Sequence, residues 1–467
     1  MWFVNDHYQL IVIGAGPAGL AAATVAAEHG LEVALLDEQP APGGQIFRAI
    51  EAAPAERARQ LGSDYRRGAE LVSALRRSCA HYFPETEVWS LSASREIGLN
   101  HRRQPRVISA DRVIIANGAY ERPVPFPGWT LPGVMHAGAG QILFKGSGIV
   151  PDDSVVLAGS GPLLLLLAWQ YQRAGVKVRA VLDTISSLNY LKALPRLPGA
   201  LLVHHHIIQG LRYRQALKLA GVELHEGISD LQAHGGDALD SISYRYKRSK
   251  RSLRTELLLV HFGVIPNTML SRAAGCRHYW HSSQQCWRPQ LDAWGASSVA
   301  GILVAGDGGG IGGARSAEHA GRIAAFAALH ELGSIDRNAR DKLAARDRRW
   351  LRADLRIRPF LEKLFRIPDE LLRVPHDNAI VCRCEEVTAG EIRSAIADGH
   401  SDSNQVKFLT RAGMGPCQGR QCAQALAQIV AHKGAVPLRH GEPLRVRPPL
   451  KPLTLGQLAK LYEEERE

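Results

Sequence analysis

Four cysteines near the C-terminus carry the clearest chemistry in this 467-residue chain: Cys382 and Cys384, then Cys417 and Cys422. Each pair sits close in sequence on a glycine-bearing stretch. Thr388 to Glu391 between them has the form of a capping box, which starts a short helix over 389–397. Thiolates paired on loops at helix starts can wrap a [2Fe-2S] cluster, with backbone N–H groups bonded to the sulfurs. Zinc is the rival, although a C-x-C pair is unusual for structural zinc, which favours two to four residues between paired ligands. The second chemical stretch is Gly14, Gly16 and Gly19, with Pro17 and Ala18 inside the triplet. Gly14 permits a tight turn, Gly16 lets backbone close on a pyrophosphate, and Gly19 lets a helix pack on its strand. Asp37 follows about 20 positions on, where a carboxylate can accept bonds from ribose hydroxyls.

The elements needed to position these residues can be read from the pattern. Residues 8–13 form a strand, an Ala-rich helix follows the glycines, and residues 32–36 form the strand that delivers Asp37 and Glu38. Gly43, Gly44, Gln45 and Arg48 add a second glycine pair, which points to FAD as an extended dinucleotide rather than NAD. Residues 46–53 contain no cysteine, against dithiol chemistry at a flavin. The strand 111–116 ends in Asn117 and Gly118, a turn that returns the chain to the cofactor. Later, the strand 301–305 ends in Gly306 and Asp307, where an acid can accept from a ribityl chain; a plain helix cap is the alternative. Between them a second unit repeats the strand, glycine loop and helix with Gly159, Gly161 and Asp183, but Leu164 stands at the third glycine position. That leucine should hold the helix off the strand, keeping the fold and leaving NAD(P) or another adenine nucleotide an open question.

The expected fold is α/β, with two Rossmann-like dinucleotide-binding domains in a disulfide-reductase-like flavoprotein architecture and a small C-terminal α-rich [2Fe-2S] domain. The boundaries are 1–120 with 288–335 for a discontinuous FAD domain and 121–287 for the second. A helical linker spans 336–375, the cluster domain 376–435 and a tail 436–467. Four prolines between Arg122 and Gly133 make a stiff crossing linker. Seven cysteines in a long chain do not suggest a secreted disulfide framework. The start lacks a basic and apolar leader, and no apolar run approaches a membrane span, so a cytoplasmic protein without an integral membrane segment is expected. The net charge of +12 gathers at 245–254, read as a hairpin rim, and over 337–373. Neither patch carries the interleaved aromatics of single-strand binders, so no nucleic acid partner is expected. His204, His205 and His206 read as a polar strand or loop end, since consecutive strand residues cannot converge on one ion. Cys79, Cys276 and Cys286 read as structural thiols, Cys79 buried or half-buried.

Taken together, Gly14-Ala15-Gly16-Pro17-Ala18-Gly19, Gly43-Gly44-Gln45, Glu121-Arg122-Pro123 through Phe126-Pro127-Gly128-Trp129 to Val134, Gly159-Ser160-Gly161-Pro162-Leu163, Ala305-Gly306-Asp307-Gly308 and Gly413-Met414-Gly415-Pro416-Cys417 resemble a known family. It is the flavin-containing α (A) subunit of heteromeric amine dehydrogenases: octopine and nopaline oxidases, dye-linked proline and hydroxyproline dehydrogenases, and hydrogen cyanide synthase. The cysteine module resembles the bacterioferritin-associated ferredoxin type. The resemblance implies a hetero-oligomer with a D-amino-acid-oxidase-like β subunit that oxidises an amine or imino acid, and a small ferredoxin-like γ subunit. It allows an FMN at a subunit interface and a quinone or dye acceptor that would bring the complex to the periphery of the inner membrane. No general base or substrate clamp is assignable within this chain. The alternative is a stand-alone NAD(P)H-dependent flavin and iron-sulfur reductase, and a third reading is a scaffold whose cluster serves folding alone.

Overall fold

The computed structural model describes residues 5–433 and 443–464. The expected boundary at 435, and the first four residues of the stretch read as lacking a leader, lie outside the described residues. The apolar strand His7–Ile13 lies in the parallel part of a mixed sheet, flanked by Val33–Leu36 on one side and Gln104–Ile115 on the other. Gln104–Ile115 is long enough to serve two neighbours. Its first half pairs antiparallel with Glu96–His101, and its last three residues pair parallel with Ile302–Val304, the strand that returns from far along the chain. Val33–Leu36, Ile302–Val304 and residues 10–13 of the first strand are buried on both faces, as helix-covered parallel sheets require. The helices Pro17–Glu28 and Ala314–Glu331 cross on one face; a side chain on Gly321 would overlap the Ala18 carbonyl, so that crossing needs glycine.

The second sheet is wholly parallel, in the order Glu223–Glu226, Val178–Asp183, Val155–Ser160, Leu258–Phe262, Val134–His136. The basic stretch 245–254 forms the turn and outer strand of an antiparallel sheet beside it. Ala119–Glu121 and Val264–Pro266, the two crossings between the large sheets, pair with each other. The buried Arg122 guanidinium fastens them, donating to Phe262 O (3.1 Å), Gln284 O (2.7 Å) and Gln285 O (2.5 Å). Gln285 is the junction of the molecule. Its side chain bonds Ile367 and Asp369 of the linker, and its carbonyl also accepts from Gln424 of the C-terminal domain.

Two expectations require correction. The three histidines are at a helix start, not on a strand: helix His205–Leu219 begins there because Val203 and Ile207, four apart, pack with Ala200 onto Ile357 and Phe360 of the linker. Cys79 is exposed, because the helix Gly68–Arg77 ends before it and the chain turns outward toward His81–Phe83.

Candidate functional site

The first glycine loop is shaped for backbone approach. Gly14 has φ +106°, and a Cβ there would stand 2.6 Å from Ala116 O. Gly19 lies against the Gly14 carbonyl, so it serves helix packing and does not face the cavity. A Cβ on Gly16 would meet nothing nearer than Gly44 Cα at 4.0 Å, so the backbone there opens onto free space. Helix Pro17–Glu28 begins with proline and no side-chain cap, leaving its first N–H groups for a ligand. Gly43, at φ +126°, turns the chain against Phe47 and also lies behind the cavity wall. Asp37 braces both loops: Oδ2 accepts from Ala15 N and Oδ1 from Gln39 N, each at 2.9 Å. Burial raises its pKa to about 6 in spite of those two N–H groups.

A cavity of about 520 Å³ runs from this cradle past Pro17, Ala18, Glu38, Gln45, Arg48, Asn117 and Gly118 to Gly306 and Asp307. Asn117 Oδ1 is buried without a hydrogen-bond partner, so one acceptor awaits a donor at the turn. Asp307 does cap its loop, Oδ1 accepting from Gly312 N (2.8 Å) and Gly313 N (2.9 Å), while its residue still lines the cavity. The cradle that a Cβ would fill, the orphaned Asn117 oxygen and the open Gly16 together fit an extended dinucleotide.

Several groups around this cavity have no role assigned to them from the sequence. Glu121 Oε1 bonds His261 Nδ1 at 2.5 Å, both nearly buried, and Glu121 Oε2 accepts from Gly138 N at 2.7 Å. Lys145 is buried beneath the Gln45 turn, donating to Gln45 O (3.2 Å) and Gln141 Oε1 (2.9 Å); burial lowers its pKa to about 7. Arg420 and Lys451 reach the cavity from the far end of the chain, and Lys451 pairs with Glu38.

The second loop is differently used. Gly159 lies against the His261 carbonyl and so admits the neighbouring strand, whereas a Cβ on Gly161 would be 2.8 Å from the His261 ring and Gly161 itself borders the cavity. Asp183 is buried, bonded to Ile185 N (2.9 Å), with burial raising its pKa to about 7; neither it nor Gly159 borders the cavity. Leu164 is fully buried in the main core. The linker lies over the loop: Ser160 Oγ donates to Phe365 O (3.3 Å), and Asn189 Nδ2 to Leu364 O (3.0 Å) and Arg366 O (3.1 Å).

In the C-terminal domain the short strand Ile380–Cys382 and the turn after it face the loop before helix Ala423–Lys433. The Thr388 and Glu391 capping box is formed, and it starts helix Ala389–Ala397. The four sulfurs meet across the loops as Cys382 with Cys422 and Cys384 with Cys417. The Cys422 thiol and the N–H groups of Gly413, Glu385 and Cys384 bond the Cys382 sulfur and lower its pKa to about 5. Gly413 N is 3.4 Å from that sulfur. Gly415 has no room for a side chain beside Cys384. Among the described residues no three His, Cys, Asp or Glu side chains converge to hold a single ion. Two thiol pairs with backbone donors fit two irons sharing sulfides better than one tetrahedral zinc. Arg420 lies between Cys417 and Cys422, so this loop also borders the cavity that begins at Gly14.

Residues 8–324 match the family model of pyridine nucleotide-disulphide oxidoreductases, and 380–432 match a BFD-like [2Fe-2S] binding domain. The opine oxidase A subunit of Rhizobium meliloti is 41% identical, over 98% of this chain and 99% of its own. The HcnB subunit of hydrogen cyanide synthase from Pseudomonas protegens is 33% identical over 88% and 89%. The crystal structure of L-proline dehydrogenase from P. horikoshii shares the fold, with a TM-score of 0.70 at 20% identity over 97% of this chain and 79% of that one. The first family implies FAD and the second a [2Fe-2S] cluster. The chain is an oxidoreductase of the pyridine nucleotide-disulphide oxidoreductase family, in the group that includes opine oxidase A subunits and HcnB, with a BFD-like [2Fe-2S] domain at its C-terminal end.

Proposed function

We propose that this chain is the electron-carrying A-type component of a heteromeric dehydrogenase whose partner, of the D-amino-acid-oxidase type, oxidises an amine or imino acid of the opine, proline or D-hydroxyproline class. A small ferredoxin-like third component, with an FMN at the interface, belongs to the same reading. The observation that carries it is the meeting of two sites: Arg420, between two of the thiols, lines the cavity that begins at Gly14 and Asp37.

Gly14, Gly16, Pro17, Ala18 and the Gly44 turn would bind the pyrophosphate of FAD, Asp37 its ribose, and Asn117, Gly118 and Gly306 the ribityl chain, with Gln45 and Arg48 alongside. Gly19, Gly43 and Asp307 hold these loops in place. Cys382, Cys384, Cys417 and Cys422 would hold the cluster. When bound, the two groups supply a two-electron and a one-electron centre. Around them the protein would offset phosphate charge through Arg48, Arg420 and Lys451 at the cavity wall, which the hydrogen-bonded Glu121 and His261 pair also lines. The packing role of Gly159, the recessed Asp183 and the overlying linker favour this reading over a stand-alone NAD(P)H reductase.

The test is reduction of the purified complex. An opine or cyclic imino acid should bleach its flavin and cluster absorbance, while NAD(P)H leaves it unchanged. Bleaching of the isolated chain by NAD(P)H would establish the reductase instead.

A further inference from the structure

Nine of the exposed large hydrophobic side chains among the described residues fall between 188 and 219, on the run of helices Ser187–Ala193, Leu197–Leu201 and His205–Leu219. Leu191 is 70% exposed, Leu202 65% and Leu211 60%. Such a density is not surface scatter. The charges that accompany it have one sign. Between Asp183 and Glu223 there is no acidic residue, whereas Lys192, Arg196, Arg212 and Lys218 are exposed among the leucines and make no ion pair with a described carboxylate. The nearby carboxylates are engaged: Glu226 pairs with Arg214, and Asp64 accepts from Gln209 (3.1 Å). The underside of the run is committed to the protein through Ala200 and Val203 on Ile357.

We propose that this face seats the protein on the surface of an anionic phospholipid bilayer, leucines in the acyl boundary and lysines and arginines among the headgroups. Leucine beside cation without acid is the chemistry of an interfacial helix. No helix among the described residues is long and apolar enough to cross a membrane, so the contact is a peripheral one. The proposal stands apart from the substrate and cofactor assignments, and it is tested without turnover.

The purified complex is floated with vesicles of phosphatidylcholine containing phosphatidylglycerol and with phosphatidylcholine alone. It should rise with the anionic vesicles only, and raised salt should weaken the binding. The pair Arg196→Glu and Arg212→Glu should cut it roughly tenfold or more, at about fivefold per cation lost. The triple change Leu191→Ser, Leu202→Ser and Leu211→Ser should abolish it with the thermal midpoint unchanged. Wild-type protein that stays in solution with anionic vesicles, or variants that float like wild type, would overturn the proposal. So would serine variants that release the partner protein while wild type ignores lipid, since the face would then be a contact within the complex.

Discussion

Asp37 shows what burial does to a residue already placed by its motif. Its carboxyl has a pKa near 6 against an ordinary value of 3.8, so between those values the unfolded chain loses a proton that the folded chain keeps. Stability of the cofactor-free protein therefore falls as pH rises through that window, by roughly 3 kcal/mol from this group. Thermal melts from pH 4 to 7 should show the decline, and Asp37→Asn should flatten its share while lowering the midpoint throughout, because the amide turns a donor toward the N–H of Ala15 or Gln39. Gly19→Ala is the harsher change. Its methyl would collide with the Gly14 carbonyl, backbone against backbone, and a loss of about 3 kcal/mol or more with little bound flavin is expected from melting and the visible spectrum. Cys417→Ser should remove the iron signal and leave the flavin, as metal analysis on the same sample would show.

Among the elements, the linker and the caps decide how the parts are held. Gln285 bonds the linker through its side chain and the C-terminal domain through its carbonyl. Gln285→Ala strands Ile367 N and O and should cost about 2–4 kcal/mol, read as early release of the C-terminal domain in limited proteolysis. Thr388→Ala removes a formed capping box and should cost about 1 kcal/mol by chemical denaturation, with a faster loss of iron. The capping box was legible because it is local, four residues in a row. The helix start at His205 was not, because what makes it a helix is the distant linker under Val203 and Ile207.

At the scale of the whole molecule, the far end of the chain closes over the near end. Leu450 N donates to Trp89 O at 2.7 Å, Lys451 pairs with Glu38, and both Leu450 and Lys451 border the cavity that opens at Gly14. Lys451→Glu places like charges together and should speed flavin loss several-fold on dilution, with little change in global stability because the pair is partly exposed. The amino-acid sequence by itself determined the α/β class, the first glycine loop with Asp37, the late strand that completes the first sheet, and the four cysteines, since each rests on spacing within one or two adjacent elements. Only the tertiary structure decided that Gly159 serves packing while Gly161 borders the cavity, that Asp307 caps its own loop, and that Arg420 and Lys451 reach the cavity near Glu38. The physical reason is distance along the chain: a glycine's spacing says that backbone comes close, and which backbone, or which ligand, is settled by strands and loops hundreds of residues away.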